Sequence, residues 1–551
     1  MRKAIWNHTK ASLLRGLVFI ALIPTLLIPV APARAETSGD AYFTYSTGSF
    51  GKGSQPIVLI GHTQSIQVGS ALPEEADGTL ITNDVREKYP ITSSNRPFQP
   101  DSLSSDVINY NAQTGDTLPS LAARFQTTPE TIMEANPSIQ KNITTLQPGQ
   151  MIHIPFRTAS LTEAIFQILP DSAFVNGPAQ IDFNTEEFIS SQPGWLKKYI
   201  GYDGSTNRSA AVFINAAARD YHISPKLLLA ILDYQSGALS KPEASAEDLL
   251  YPMGYANSRH QHLHNQVMLV SNWLNDSYYS WRAGDPIPYE NAANQKINPD
   301  PRQNAATVAL QRLFYSLKTT SEYQGAIGEN GFWATYKRLF GDPWLDEKTH
   351  IAENLQQPQL GLPFAPGKVW AFTGGPHTAW GDSGQPWAAL DFAPPSLAFG
   401  CIVSAEWATA VADGIIARSE NGTVYLDLDG DGDERTGWVI QYFHIATKDR
   451  VAAGKTVKRG DYIGHPSCEG GHATGSHIHV ARLFNGEWII AYGPVAFNLE
   501  GWIAHKGSAV YQGMLTRQTQ IVYSNTNAND KTLIMSDAQL ASTGQFFTTK
   551  P

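Results

Sequence analysis

Two histidines lie two residues apart in the apolar, β-branched run GSHIHVARLF, at positions 477 and 479. In a β-strand, side chains at i and i+2 emerge on the same face, so a strand would direct both imidazoles into one space. Such a pair suits a metal ligand with a catalytic base beside it. Because 15 histidines in 551 residues also give about 0.4 such pairs by chance, His477 and His479 alone decide nothing.

Three further residues within about a hundred positions could complete a metal site. His377 follows a Gly-Gly-Pro turn, Asp391 ends the strand-like run WAALDF, and His444 lies in the β-rich run WVIQYFHIA. A catalytic zinc takes three protein ligands of N and O type and leaves one position for water. His377, Asp391 and one of the paired histidines would supply the ligands. The other histidine and His444 would flank the water, accept its proton and stabilise the oxyanion, which predicts metal-assisted hydrolysis.

Length, composition and charge limit what surrounds this chemistry. A chain of 551 residues is too long for one core and indicates about three domains. The contents of 42% hydrophobic and 16% charged residues are typical of globular proteins. A net charge of −10 argues against a nucleic-acid partner, which would need a basic surface.

The N-terminus has the pattern of a secretory signal peptide. Basic residues precede the apolar stretch GLVFIALIPTLLIPV, and the small-x-small site Ala-Arg-Ala follows, which predicts cleavage after Ala35. No other segment is apolar for long enough to cross a bilayer. We therefore expect a secreted or cell-envelope protein with no stable membrane span after removal of residues 1–35. Residues 36–106 are rich in Ser, Thr, Gly and Pro and predict a loosely structured region.

Residues 107–156 are predicted to form a small βααβ unit. Leu118, Leu121, Ala122 and Phe125 recur at helical spacing, and Thr128-Pro129 starts a second helix before the closing strand PGQMIHIP. With its YxxxxGDTL opening and LxPGQxxxIP ending, this unit resembles a LysM domain. The resemblance implies binding to N-acetylglucosamine-containing glycans of peptidoglycan or chitin.

Residues 157–351 are predicted to be mostly helical. An Ala-rich helix over 208–221 and a second helix that begins at Ser224-Pro225 resemble the core of lysozyme-like lytic transglycosylases. That family has a glutamate general acid where this chain has Gln235. Because an amide has no transferable proton, the resemblance predicts an inactive domain kept for packing or glycan binding. An unrelated helical bundle remains the alternative.

The C-terminal third resembles the beta-lytic branch of the lysostaphin-type zinc metallopeptidases. The shared motifs are GGPH, AALDF, YFHIA and GHPSCEGGHATGSHIHVARLFNGEW. The family implies an all-β domain, here over 352–512, that binds Zn²⁺ and cleaves bacterial cell-wall peptides. By the resemblance, His377, Asp391 and His479 are the zinc ligands and His444 and His477 the catalytic histidines. Residues 513–551 are predicted to be a C-terminal tail.

The two cysteines, Cys401 and Cys468, are predicted to form a disulfide. Two cysteines and no others in an exported protein favour that outcome, and this branch of the peptidases has a similar pair.

The acidic run DLDGDGDE, residues 427–434, is either a calcium loop or a hairpin turn. Trp438 stands where an EF-hand would need glutamate, which favours the turn.

The chain as a whole is predicted to be multidomain, with a βααβ LysM unit, a mostly α middle domain and an all-β peptidase domain. The predicted function is a secreted zinc endopeptidase that hydrolyses peptide cross-links of peptidoglycan and binds its glycan through LysM. The alternative is a non-catalytic peptidoglycan-binding protein or hydrolase activator. A glycosidase is disfavoured because Gln235 replaces the acid.

Overall fold

The computed structural model describes residues 106–156, 165–345, 347–381, 383–396, 398 and 400–537. The predicted signal peptide and nearly all of the Ser/Thr/Gly/Pro-rich region lie outside these residues. Within the described part, no helix is both long and apolar enough to span a membrane. A βααβ region, a helical region and a strand-rich region follow one another along the chain.

The βααβ region has the order of elements that periodicity predicts. Its elements are β1 (Asp106–Asn111), α1 (Leu118–Arg124), α2 (Pro129–Ala135) and β2 (Met151–Phe156). The two strands pair antiparallel. Thr117 and Thr128 cap the helices by accepting backbone N–H groups, and proline stands in the first turn of each helix. Leu121, Phe125 and Ile132 are fully buried and form the core of the unit.

The middle region is mainly helical. Its helices are α3 (Thr185–Ser191), α4 (Ala210–Asp220), α5 (Pro225–Ser236), α6 (Ala246–Leu250), α7 (His262–Arg282), α8 (Ala305–Leu317), α9 (Thr320–Ile327) and α10 (Phe332–Phe340). Short 3-10 turns lie at Asp171–Ala173, Pro178–Gln180 and Trp195–Lys198, and short strand pairs are β3 (Ile200–Tyr202) with β4 (Asn207–Ser209) and β5 (Tyr289–Glu290) with β6 (Lys296–Ile297). Ser224 caps α5 and Gly237, with φ of 67°, ends it. This is the predicted helix pair.

The third region is built from β-strands. They are β7 (Val369–Thr378), β8 (Trp387–Ala393), β9 (Ala408–Thr409), β10 (Gly414–Glu420), β11 (Thr423–Asp427), β12 (Trp438–Phe443), β13 (Thr456–Val457), β14 (Tyr462–Gly464), β15 (Ile478–Phe484), β16 (Glu487–Trp488), β17 (Asn498–Leu499), β18 (Trp502–Lys506), β19 (Gly513–Arg517), β20 (Gln520–Tyr523) and β21 (Leu533–Met535). The main sheet has the order β13-β10-β11-β12-β15-β8-β7-β21, with β16 beside β15. Strands β17 to β20 form a smaller sheet.

The chain after residue 512 is more ordered than a tail. β19 pairs with β18, and β21 pairs with β7 at the edge of the main sheet. The strands β19, β20 and β21 are short and are separated by polar turns, so the sequence lacks the long periodic pattern that would have indicated them. The described part of the predicted tail, up to residue 537, therefore completes both sheets.

The two faces of the main sheet pack against different partners. Ile478 and Val480 of β15 face a core built within the strand-rich region. Ala481 and Leu483, on the alternate face, belong to one hydrophobic core with helices α4, α5, α7 and α8. His479 precedes Ala481 by two residues and so shares this second face. The helical region therefore covers the sheet face on which His479 lies.

A buried charged cluster joins the helical and strand-rich regions. The Glu487 carboxylate accepts hydrogen bonds from Tyr278 Oη at 2.8 Å and His350 Nε2 at 2.7 Å, and Arg282 Nε lies 3.0 Å from it. Arg282 also pairs with Asp171 at 3.1 Å. Burial alone would raise the pKa of Glu487, but Arg282 and His350 outweigh it and lower the pKa to about 2. Glu487 is therefore an ionised anchor between the regions.

The segment just before the β-rich region lies on the βααβ unit. Thr114 Oγ1 donates to Ile351 O and accepts from Ile351 N, both at 3.1 Å. Thr145 Oγ1 accepts from Leu355 N at 2.8 Å, and Asn354 N donates to Thr145 O at 2.9 Å. Residues 351–355 thus form a strap across two loops of the βααβ unit.

Candidate active site

Three predicted metal ligands lie on neighbouring strands of the main sheet. His377 is in β7, Asp391 in β8 and His479 in β15. His479 is directly opposite Asp391 in the register of β15 and β8. Gly374 of β7 is opposite Asp391, and a Cβ there would lie 2.5 Å from the carboxylate. The absence of a side chain at Gly374 makes room for Asp391.

The donor atoms of these three residues converge on one point. His377 Nε2 lies 3.0 Å from His479 Nδ1 and 3.2 Å from Asp391 Oδ1, and the last two atoms are 3.4 Å apart. The other ring nitrogen of each histidine donates a hydrogen bond to a carbonyl oxygen. His377 Nδ1 donates to Gly375 O at 2.8 Å, and His479 Nε2 donates to Ala379 O at 3.1 Å. A carbonyl only accepts, so the lone pairs of both neutral rings face inward.

This donor set fits a divalent metal ion. Two inward lone pairs and a carboxylate repel one another unless a cation lies between them. Asp391 Oδ1 is buried and accepts no hydrogen bond within the described part of the chain, which is costly for an ionised oxygen unless a cation is bound. Two imidazoles and one carboxylate are the ligand types of a catalytic zinc site. The residues present therefore fit Zn²⁺.

The protonation states agree with a ligand role. Burial alone would raise the pKa of Asp391, but the adjacent His377 and His477 outweigh it and hold the pKa of this carboxyl well below its usual range. Burial lowers the pKa of His479. A carboxylate and a neutral imidazole are the forms that bind metals.

The two other predicted histidines lie beside this cluster. The ring centroids of His444 and His477 are 4.5 Å apart, and His477 Nε2 lies 3.8 Å from Asp391 Oδ1. His477 Nδ1 donates to Gly475 O at 2.8 Å, and His444 Nδ1 donates to a backbone carbonyl at 3.1 Å. Each ring therefore keeps Nε2 free to accept a proton. Burial, followed by the neighbouring His477 and His479, lowers the pKa of His444 to about 3.

Sequence reasoning expects His477 to lie within the strand, and the strand begins one residue later. β15 starts at Ile478, and His477 makes an isolated bridge to Ser467. The pair still acts as the i, i+2 spacing predicts, because the rings of His477 and His479 both approach the Asp391 carboxylate.

Tyr511 is a site residue that the sequence did not indicate. Its ring stacks on His377 with centroids 4.2 Å apart. Burial and the Asp391 carboxylate raise the pKa of Tyr511 to about 12, so the phenol remains a hydrogen-bond donor at neutral pH. It lies in the loop between β18 and β19, where no spacing rule relates it to the histidines.

The predicted disulfide is present. Cys401 and Cys468 are joined, and the bond closes a loop of 67 residues. Nearby, Ser476 Oγ accepts from Ile402 N at 2.9 Å. The disulfide therefore links the loop after β8 to the loop that leads into His477.

Two other sequence candidates lie away from this cluster. At the end of α5, Gln235 Oε1 accepts from Lys318 Nζ at 2.9 Å, while Asp233 pairs with Arg338. The acidic run forms the turn between β11 and β12, as expected for a hairpin. Ligand atoms of Asp427, Asp429 and Asp431 approach one another there, and Asp427 is already bonded to backbone amides of the same turn.

Protein-family models match two of the three regions. Residues 110–155 match the LysM domain family, and residues 167–354 match the family described as LasA, N-terminal domain. The chain is 26% identical over 326 residues to Protease LasA of Pseudomonas aeruginosa, covering 55% of this chain and 74% of that protein. The chain is LasA-like and carries a LysM domain. The same identity and coverage hold for Protease LasA from a second strain of that organism, UCBPP-PA14.

Solved structures of M23 peptidases are also similar to this LasA-like chain. The M23 metalloprotease pseudoalterin, from the deep sea, is 23% identical, covers 30% of this chain and 96% of its own, and has a TM-score of 0.25. The catalytic domain of lysostaphin from Staphylococcus simulans is 22% identical, covers 22% of this chain and 87% of its own, and has a TM-score of 0.17. Both scores are low, and the LasA likeness comes from the sequence relatives.

Proposed function

We propose that this protein is a secreted, zinc-dependent endopeptidase that hydrolyses peptide bonds of bacterial peptidoglycan. The observation that carries the proposal is the convergence of His377 Nε2, Asp391 Oδ1 and His479 Nδ1 within 3.4 Å of one another on a buried sheet face. The likeness to Protease LasA supports a peptidase. The alternative, a non-catalytic binding protein or hydrolase activator, does not require an intact ligand set.

In the proposed reaction, His377, Asp391 and His479 hold the metal. Zn²⁺ bound there would polarise the scissile carbonyl and acidify the attacking water. His444 and His477 move protons, since each has Nδ1 tied to a carbonyl and Nε2 free: one accepts the proton of the attacking water and the other delivers a proton to the leaving amine. The Tyr511 phenol is a donor for the developing oxyanion.

Glycan binding by residues 107–156 is the second part of the proposal. The match to the LysM family supports it. Binding to the N-acetylglucosamine-containing strand would hold the enzyme on its insoluble substrate and raise the local concentration of peptide cross-links. Export through the predicted signal peptide would bring the protein to that substrate.

Digestion of purified peptidoglycan tests this function. The full chain, with zinc, should release new amino termini, identified by mass spectrometry of the fragments, without new reducing ends. The digestion is repeated with protein nicked by limited proteolysis, which cuts the connection between the helical and strand-rich regions. His479→Ala and a chelator should both abolish the release.

Other outcomes of the digestion would support different functions. Wall binding without new amino termini in either sample would favour the non-catalytic protein. New reducing ends without new amino termini would indicate a glycosidase and contradict the reading of Gln235.

A further inference from the structure

His444 lies where the main sheet ends and needs support from outside its own strand. β12 stops at Phe443, and His444 has φ of 63°, in the left-handed region that non-glycine residues rarely adopt. Its side chain is almost fully buried. A residue in this conformation persists only where its surroundings hold it.

The segment 467–469 supplies that support to the backbone and ring of His444. Ser467 donates to His444 O from its backbone N at 2.7 Å and from Oγ at 2.9 Å. His444 Nδ1 donates to Glu469 O at 3.1 Å. Ser467 Oγ in turn accepts from Glu469 N at 3.0 Å, so the segment is braced internally.

The Glu469 carboxylate closes this arrangement on its other side. Its Oε2 accepts from Thr447 N at 2.7 Å and from Thr447 Oγ1 at 2.6 Å. The turn from His444 to Thr447 is therefore tied at both ends to one residue, at His444 through the Glu469 carbonyl and at Thr447 through its carboxylate. A Cβ on Gly471 would lie 2.7 Å from the Phe443 ring, so the backbone at Gly471 closely approaches the residue before His444.

We propose that Glu469 is a positioning residue for His444: its carboxylate anchors the 467–469 segment on Thr447, and its carbonyl then fixes the His444 ring with the proton on Nδ1. This inference rests on the proposed function for its catalytic meaning. With the proton on Nδ1, Nε2 is the acceptor of a ring whose centroid lies 4.5 Å from that of His477 and 6.3 Å from that of His479. Without the anchor, the ring is free to rotate or to change tautomer, and Nε2 is available in only part of the molecules.

The experiment compares Glu469→Ala with Glu469→Gln in the full chain. Alanine removes the acceptor for Thr447, and kcat on a soluble peptide should fall by about 10- to 100-fold, as for other outer residues that orient a site, with KM and zinc content unchanged. Glutamine keeps a neutral acceptor oxygen, so kcat should stay within about threefold of wild type. Lys448→Ala, at the exposed residue that follows Thr447, is the matched control and should be unchanged.

A second readout does not depend on activity. In protein labelled with ¹⁵N-histidine, the His444 ring of the wild type should show a protonated Nδ1 and an unprotonated Nε2 in long-range ¹H–¹⁵N spectra. Glu469→Ala should lose this single tautomer, and Glu469→Gln should keep it. If the wild type cleaves no peptide while the tautomer shifts as expected, the proposed function fails and the positioning role stands.

Three outcomes would overturn the proposal. The first is a Glu469→Ala enzyme with wild-type kcat, and the second is a single Nδ1–H tautomer in that variant. The third is a Glu469→Gln enzyme as slow as Glu469→Ala, because the loss of kcat would then come from the lost charge and not from the lost anchor. If Glu469→Ala does not fold, Thr447→Val removes only the hydroxyl donor. This variant should lower kcat in the same direction, and unchanged kcat in it would count against the anchor.

Discussion

The site histidines differ in which ring nitrogen donates a hydrogen bond to a backbone carbonyl. His377 and His477 both donate through Nδ1, whereas His479 donates through Nε2 and turns Nδ1 toward Asp391. His477 and His479 are two residues apart and of the same type, yet only His479 has its free nitrogen within 3.4 Å of the carboxylate. This difference in orientation predicts that the two histidines differ in function.

Substitution of the paired histidines should separate zinc binding from catalysis. His479→Ala removes one of the three proposed protein ligands, so zinc content measured by mass spectrometry and peptidase activity should fall together. His477→Ala should keep near-stoichiometric zinc while hydrolysis slows by about 10²- to 10⁴-fold, the scale of a lost general acid or base.

The other site residues provide matched controls for this prediction. His444→Ala should behave like His477→Ala, and His377→Ala and Asp391→Ala should behave like His479→Ala. If His477→Ala loses its zinc while His479→Ala retains it, the two roles have to be exchanged.

His222 makes the folded protein sensitive to acid. It is fully buried, its two ring nitrogens have no hydrogen-bond partner in the described structure, and its ring meets Trp488 edge-on at 4.9 Å. Burial, followed by Arg418 and Arg219, lowers the pKa of His222 well below 6.5. The folded state therefore keeps His222 neutral, while the unfolded chain takes up a proton below about pH 6.5.

The stabilisation from His222 should be complete above pH 6.5 and decrease as the pH falls below it. The expected slope is at most about 1.4 kcal/mol per pH unit for this one proton. The free energy of unfolding in urea, measured between pH 8 and 5, should decrease less steeply for His222→Asn, since asparagine tolerates φ of 53° and does not titrate. Equal slopes for both proteins would contradict the prediction.

Some site residues could be predicted from the sequence and some could not. The i, i+2 spacing in a strand-like run indicates His477 and His479, and the motifs around His377 and Asp391 indicate the residues that join them. Tyr511 and Glu469 carry no such signal, because a single tyrosine or glutamate in a loop is chemically ordinary. Their positions depend on how distant loops pack, which no local pattern encodes.

At the scale of elements, the disulfide holds the loop that supports His444. Cys468 is adjacent to Glu469, and its partner Cys401 lies in the loop after β8. Replacing both cysteines by alanine should lower the free energy of unfolding by about 4 kcal/mol in the chain-entropy model of a 67-residue loop. Activity should fall as well, since the 467–469 segment loses its attachment.

Urea unfolding and peptide cleavage, each with and without reductant, would test the role of the disulfide. Reduced wild-type protein should resemble the double variant in both assays. Full activity after reduction would show that the hydrogen bonds of the 467–469 segment suffice on their own.

Elements with strong local signals agree with the sequence reading. The caps at Thr128 and Ser224 mark the starts of α2 and α5, and the apolar run WAALDF marks β8. β21 has three residues and was missed, because its pairing with β7 depends on a partner about 160 positions away.

At the scale of the whole molecule, the helical and strand-rich regions share one core, so cutting between them should not separate them. Leu345, in the connection after α10, is 85% exposed and is the expected site of limited proteolysis. The two fragments should elute together in size-exclusion chromatography, because Tyr278, Tyr279 and Arg282 bond to β16 across the interface. They should part only in denaturant.

A matched variant makes this test specific. Glu487→Ala leaves Arg282 buried without its partner, so the nicked variant should dissociate at lower urea concentration than the nicked wild type. Fragments of the wild type that separate in buffer alone would contradict the shared core.

The LysM unit should be needed for binding the wall but not for cleaving a small peptide. Deletion of residues 110–156 is expected to weaken sedimentation with insoluble peptidoglycan and to leave hydrolysis of a soluble peptide nearly intact. The strap at 351–355 and Arg282 lose contacts in this variant, so its thermal unfolding is measured alongside. Equal sedimentation of both proteins would count against glycan binding by this unit.

The order of the regions could be predicted, and their arrangement could not. The sequence predicts helices within residues 157–351, but it does not say that apolar residues of α7 share one core with Leu483 of β15. Strand alternation indicates two faces for the sheet, and only the assembled structure shows which face the helices cover.

The Glu487 cluster limits the transfer of the strand-rich region into other proteins. A chimera that fuses the strand-rich region to another targeting module would carry over a desolvated carboxylate and an apolar sheet face without the side chains that match them. Such a fusion would tend to aggregate even with every histidine of the candidate site in place. Protein engineers would therefore need to redesign Glu487 and Trp488 as surface positions before moving the candidate metal site into a new protein.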